Sequence, residues 1–256
     1  MTGDVLFTHI ERLQAGTPWG TVLDAGTGHD SLRWISTLET ERWTAITAND
    51  PRARRLSKKF CKSSRPDDRV IAGNWTDPSL LHGEVFDVVL ADYLVGAIDR
   101  FAPYFQYGFF RRLRPHVRDR LYVVGLEPHD ESDTPPSGQV VLEIARLRDA
   151  CILHAGHRCH REYPLEWTIT QLEDCGFTVE DARSFPIVYG PKFINGQLDV
   201  CVEKLDYVHD PVLVKGLRHR IDDLRRRALA VHESLGGLRF GTDYVVYARP
   251  ALEDPD

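Results

Sequence analysis

"TVLDAGTGHDS" (residues 21–31) decides how this chain is read. A short apolar run, Val22 and Leu23, ends in a carboxylate, Asp24, and two glycines follow one residue apart, Gly26 and Gly28. That order describes a buried strand entering a tight turn where glycine lets the backbone come close to a ligand. The helix expected next would offer its unpaired N–H groups to the same ligand. The third glycine of a dinucleotide loop is missing, and Asp30 and Ser31 stand in its place.

Outward from this turn, strands and helices alternate. "DVLFTHIERLQAG" reads as an amphipathic helix before it, with Val5, Ile10 and Leu13 on one face. "DSLRWISTL" reads as the helix after it, capped by Asp30 or Ser31. "RWTAITAND" is a second strand, and "PRARRLSKKFCK" the following helix, with Pro51 in the tolerated first turn. "RVIAGN", "FDVVLAD" and "RLYVVGLEP" give strands three to five, with the helix "YFQYGFFRRLRPHV" before the fifth. Continuous apolar strands separated by helices imply a parallel sheet covered on both faces. Further on, "VVLEIARLRDACILHAG" and "PLEWTITQLEDCG" read as helices, and "FTVEDARSFPIV" and "GTDYVVYARP" as strands. "LDVCVEKL" is expected to be a strand too. "PVLVKGLRHRIDDLRRRALAVHESLGG" is a long helix, with a stripe of Val214, Leu217, Ile221, Leu224, Ala228, Val231 and Leu235 suited to its own domain or to a dimer seam.

Composition narrows the class. The chain has 256 residues, 42% hydrophobic and 27% charged, enough for one α/β domain with an ordinary core. No apolar run is long enough to cross a bilayer, and the N-terminus lacks the pattern of a signal peptide. Five scattered cysteines without a CxxC pair read as free thiols, and a cytoplasmic location is expected. A net charge of −6 argues against nucleic acid as a partner. The basic stretch Arg52, Arg54, Arg55, Lys58, Lys59, Lys62 and Arg65 is read as a solvated helix face, since only Phe60 is interleaved with it.

In an open parallel sheet, ligands bind beyond the carboxyl ends of the strands. The strand ends here offer Asp24, Gly26 and Gly28; Asn49 and Asp50; Asn74 and Trp75; Asp92 and Tyr93; and Glu127. Asp50 follows Asp24 by 26 residues, close to the separation of a ribose-binding acid in a βαβ nucleotide unit. Two ligands suit such a unit: a nicotinamide dinucleotide or S-adenosylmethionine. Asp24 separates them, because a carboxylate beside the turn repels a pyrophosphate and attracts an ammonium or a sulfonium.

With these motifs in place, "VLDAGTG", the acid of "TAND", "IAGNW" and "FDVVLADY" together resemble the successive motifs of class I S-adenosylmethionine-dependent methyltransferases. The resemblance spans roughly residues 20–187 and the closing strand. It implies a Rossmann-like α/β/α sandwich, a seven-stranded, mostly parallel sheet with an antiparallel last strand at 242–248. It also implies S-adenosylmethionine as cofactor, with Asp24, Ala25, Gly26, Thr27 and Gly28 around the methionine moiety and Asn49 and Asp50 at the ribose. Asn74 would meet the adenine amine, Trp75 would lie next to the ring, and Asp92 near the methionine amine and the acceptor. Two positions depart from the family pattern: Asp30 where glycine is commoner, and Asn74 where aspartate is.

Methyl transfer asks the protein to align an acceptor and, where the acceptor is protic, to receive its proton. Asp92, Tyr93, His157 and Tyr163 are the catalytic candidates, with Glu127 and His129 near the same edge. His154, His157, Cys159 and His160 are metal-ligand types, but their spacing fits no familiar zinc pattern, and no metal is expected. "ADYL" lacks the prolines of the NPPY or DPPY tetrapeptide of nucleic-acid amino-methyltransferases, so a small molecule with an O, S or N nucleophile is favoured. Residues 1–256 are read as one methyltransferase domain, monomeric or homodimeric, with the N-terminal helix (1–19) and an insertion (190–237) as lid or dimer elements. The competing classes are a dehydrogenase and a non-catalytic regulatory or partner protein of the same fold.

Overall fold

The computed structural model describes residues 5–61, 65–132 and 134–251. Residues 1–4 of the N-terminal segment and Lys62 of the basic stretch lie outside the described residues. The chain divides into two compact units, one of residues 1–127, 161–185 and 244–256, the other of 128–160 and 186–243.

The first unit carries the sheet. Strands β1 (Thr21–Asp24), β2 (Arg42–Thr47), β3 (Arg69–Ala72), β4 (Phe86–Asp92) and β5 (Val117–Leu126) pair in parallel. Together with β6 (Phe177–Tyr189) and β7 (Leu238–Pro250) they make a seven-stranded sheet in the order β3-β2-β1-β4-β5-β7-β6, the closing strand antiparallel. The order reverses at β1, between β2 and β4, which places a ligand crevice at the carboxyl end of β1. β6 is an edge strand, where Pro186 costs no ladder hydrogen bond on the open side.

Apolar runs without polar alternation make sense because both faces of the sheet are covered. Leu23, Val89, Ala91, Leu121 and Val123 point to one core, with α5 (Gln106–Leu113) and α7 (Leu165–Asp174) packed on it. Their neighbours Val22, Val88, Leu90, Tyr122 and Val124 point to the other, covered by α1 (Val5–Gln14), α2 (His29–Ile35) and α3 (Asp50–Phe60). The buried face of α1 is Leu6, Phe7 and Ile10, while Val5 is exposed, one position round from the expected stripe. Phe7 stacks on Trp34 with ring centroids 4.4 Å apart, and Gln14 accepts a hydrogen bond from the Tyr122 hydroxyl (2.9 Å).

An unexpected helix, α4 (Leu94–Phe101), follows β4 directly. The sequence reading ends the fourth strand at Asp92 and assigns no element to Leu94–Phe101; Tyr93 turns the chain through φ 47° and the helix starts there.

The second unit is helical. "LDVCVEKL" is not a strand: it is the C-terminal half of α8 (Pro191–Leu205). Its alternation is local. Over the longer segment Ile194, Leu198, Cys201 and Leu205 recur at helical spacing, and these are the residues buried. They share a core with α6 (Pro136–His154) and α9 (Pro211–Leu235). On α9 the central residues of the expected stripe, Ile221, Leu224 and Ala228, are fully buried in that core, whereas Leu235 is exposed. Arg227 of α9 reaches the Glu143 carboxylate of α6 (2.8 Å), and Asp210 caps the start of α9.

Candidate functional site

A partly open cleft lies at the topological switch point, where an open parallel sheet binds its ligands. Its walls come from the turn after β1 (Ala25, Gly26, Thr27), the ends of β2 and β3, and α4 with the loop beyond it.

The β1 turn is held from both sides. Ala25 N–H donates to Leu90 of β4 (2.8 Å), and Thr27 N–H to Ile46 of β2 (2.6 Å). Trp75 adds a third tie: its indole N–H donates to the Ala25 carbonyl at 2.7 Å. The ring is buried, edge-on to Phe109 and His116, so Trp75 both lines the cleft and fixes the turn. Gly26 is required by close approach, since a Cβ there would lie 2.5 Å from the Leu94 side chain. At Gly28 the backbone is extended and the space open. Gly28 also precedes α2, with its N–H donating to Ser31 Oγ (3.1 Å). Neither Asp30 nor Ser31 is therefore the residue that starts the helix. Asp30 pairs with Arg33 (3.0 Å) on the solvent side.

Asp24 is the chemical centre of the turn. It is fully buried, and neither carboxylate oxygen meets hydrogen-bond geometry with a protein donor. Burial raises its pKa from 3.8 to about 6; Thr27, Ser31 and the Gly26 amide lie near enough to temper the rise without reaching bonding geometry. An ionised carboxylate without a partner is costly in a protein interior, and a cation beside it offsets that cost.

The β2 end differs from expectation. Asn49 accepts a hydrogen bond from the Arg52 amide (2.8 Å) and caps α3. Asp50 is the first residue of that helix, ion-paired with Arg54 one turn on, exposed and absent from the cleft walls. The strand-end positions facing the cleft are Thr47 and Ala48, and Arg52 reaches it from α3. At the β3 end, Asn74 does line the cleft, but its amide is engaged: Oδ1 accepts from the amide and hydroxyl of Thr76 (3.1 and 3.0 Å), and Nδ2 donates to the Phe101 carbonyl (3.1 Å). It ties the strand end to the end of α4.

Asp92 is the last residue of β4 and Tyr93 the residue before α4, next in the chain to Leu94 of the cleft wall; Tyr93 N–H donates to the Val124 carbonyl (2.9 Å). Tyr163 packs its ring on Trp167 (centroids 4.1 Å), burial raising its pKa, and its carbonyl accepts from the Tyr244 hydroxyl (3.0 Å). Glu127 accepts from the Leu165 amide (2.9 Å), a helix-capping role. His157 belongs to the second unit, its ring edge-on to Tyr207 at 4.9 Å. His129, in the same unit, packs on Phe240, and burial lowers its pKa. Among the described residues no group of three potential metal ligands comes together.

No family model matches the sequence, and no curated protein matches it. Solved structures do. A candidate methyltransferase from Bacillus halodurans superposes with a TM-score of 0.62 at 14% identity, covering 97% of this chain and 100% of that one. The fold is that of the class I methyltransferases. The mycolic acid cyclopropane synthase CmaA1, bound to S-adenosylhomocysteine (SAH) and CTAB, matches at 0.57 and 14% identity over 95% of this chain and 83% of that one. The [4+2]-cyclase SpnF matches equally well, at 0.57 and 14% identity over 96% of this chain and 80% of that one. A class I fold thus serves more than one chemistry, and activity has to be argued from the site.

Proposed function

We propose that this protein is an S-adenosylmethionine-dependent methyltransferase acting on an O, S or N nucleophile of a small molecule. The observation that carries the reading is Asp24: a fully buried carboxylate directly before Ala25 of the cleft wall, with neither oxygen bonded to a protein donor among the described residues. Pyrophosphate would bring two negative charges beside it, whereas S-adenosylmethionine brings an ammonium and a sulfonium. SAH bound to CmaA1, on the same fold, supports that ligand.

When bound, the cofactor supplies a methyl group already activated by the sulfonium. Around it the protein's residues have definable tasks. Asp24 faces the cationic amino-acid end, and Trp75 keeps the Ala25 carbonyl and the turn in place. Phe101, Phe105 and Ile98 give an apolar wall for a purine. Asp92 is the proton acceptor for a protic nucleophile, and Tyr93 and Tyr163 shape the acceptor's approach. His157 is the remaining candidate, from the second unit. The N-terminal helix (1–19) and the insertion (190–237) are the candidate lid or subunit-contact elements of a monomer or homodimer.

The test is incubation with isotope-labelled S-adenosylmethionine and a cell extract fractionated below about 1 kDa, read by mass spectrometry. Label should pass to a small molecule, and Asp92→Ala should abolish transfer while SAH still binds. Binding of SAH with no labelled product in any fraction would instead favour a non-catalytic role.

A further inference from the structure

The β2 edge of the cleft has a chemistry of its own. The wall where a ribose-binding carboxylate is expected holds Ala48, which has no polar side chain, and the nearby carboxylate of Asp50 is turned away to Arg54. From α3, Arg52 is the residue that lines the cleft. No acid pairs with it among the described residues. Its charged neighbours are Arg100, at the end of α4, and Arg55, both cations. Arg100 itself lies over the ring of Phe101, another cleft-wall residue, 5.4 Å from its centroid. Among the described residues no carboxylate lines this side of the cleft.

We propose that Arg52 recognises the ribose edge of the bound nucleoside, so that the cleft accepts a phosphate on the ribose 2′ or 3′ oxygen that an acid at this position would repel. A carboxylate at the end of β2 accepts bonds from ribose hydroxyls and excludes an anion; a guanidinium donates to the hydroxyl oxygens and binds a phosphate more strongly still. With Arg100 nearby and no acid paired to either, the edge carries an uncompensated positive charge, and an anionic group is the ligand chemistry that neutralises it. The inference rests on the cleft taking an adenosine-type ligand, but not on methyl transfer.

The experiment is calorimetric titration of the full chain with adenosine, adenosine 2′-monophosphate and SAH, for the wild type, Arg52→Gln and Arg52→Glu. The wild type should bind the 2′-monophosphate about tenfold or more tighter than adenosine, as one charge-assisted contact supplies. Arg52→Gln should bring the two together, and Arg52→Glu should reverse their order; circular dichroism checks that both variants are folded. Weaker binding of the 2′-monophosphate than of adenosine by the wild type, or an unchanged ratio in Arg52→Gln, would overturn the proposal. SAH separates this from the methyl-donor reading: if it fails to bind while the nucleotide ratio still follows residue 52, the methyl-donor reading falls and the Arg52 assignment stands.

Discussion

Replacing Asp24 by asparagine should stabilise the ligand-free protein while destroying its ligand site. The carboxyl's pKa rises from 3.8 to about 6 because it is fully buried. An acid whose folded value lies above its unfolded value binds extra protons in the folded state, so the penalty is absent at low pH and grows as pH rises from 3.8 to 6. At about 1.4 kcal/mol per tenfold change, the ionised carboxylate costs the folded chain about 3 kcal/mol above pH 7 and about 1 kcal/mol at pH 4.5. An amide fills the same volume and never ionises. Asp24→Asn should therefore melt roughly 6–12 °C above wild type at pH 8, at about 2–4 °C per kcal/mol for a chain of this size, with the gap shrinking to about a third at pH 4.5. Differential scanning calorimetry across that range reads both. A variant less stable than wild type at pH 8, or a gap that does not change with pH, would refute the idea that Asp24 is an uncompensated buried anion. A site that weakens its own fold in this way is a familiar trade of stability for function.

Further variants probe the frame around it. Trp75→Phe removes the indole bond to Ala25 and shrinks a buried ring, so it should weaken SAH binding several-fold and also lower the melting temperature, by about 2–4 °C for each kcal/mol lost. Asp50→Asn should change SAH affinity less than twofold, since that carboxylate faces Arg54; a large loss would restore it as a ribose ligand. Gly125→Ala places a methyl group 2.2 Å from the Tyr244 ring carbon and should cost about 1–3 kcal/mol by denaturant unfolding. Tyr244→Phe breaks the bonds linking its hydroxyl to Thr168 (2.9 Å) and Tyr163 (3.0 Å), and should cost about 1–2 kcal/mol by the same measure.

The sheet was legible because its strands are short apolar runs bounded by strong turn signals, and the order of motifs along the chain follows the order of strand ends. Legibility failed where one dimension misleads. The "DVCV" of residues 199–202 alternates like a strand, and only the wider spacing of Ile194, Leu198, Cys201 and Leu205 shows a helix. α4 was missed because Tyr93 turns through a left-handed conformation that its residue type does not announce. Asp50 has the right separation from Asp24 but the wrong direction, because α3 begins at that residue and carries its side chain outward. Pro51 was the available signal: a proline in the first turn sets the helix start, leaving residue 48, not 50, at the strand end. Arg52 was read with its basic neighbours as one solvated face, and nothing in the charge pattern distinguishes the single arginine that turns toward the cleft.

Titration of SAH and NAD⁺ into the protein at pH 5 and pH 8 tests most directly that the β1 turn holds a cationic methyl donor rather than a pyrophosphate. SAH should bind at one site per chain and about tenfold more weakly at pH 5, where a carboxyl with a pKa of about 6 is mostly protonated and the ammonium loses its partner. NAD⁺ should show no saturable binding at either pH. Tight NAD⁺ binding with no response to SAH would contradict the assignment of the turn.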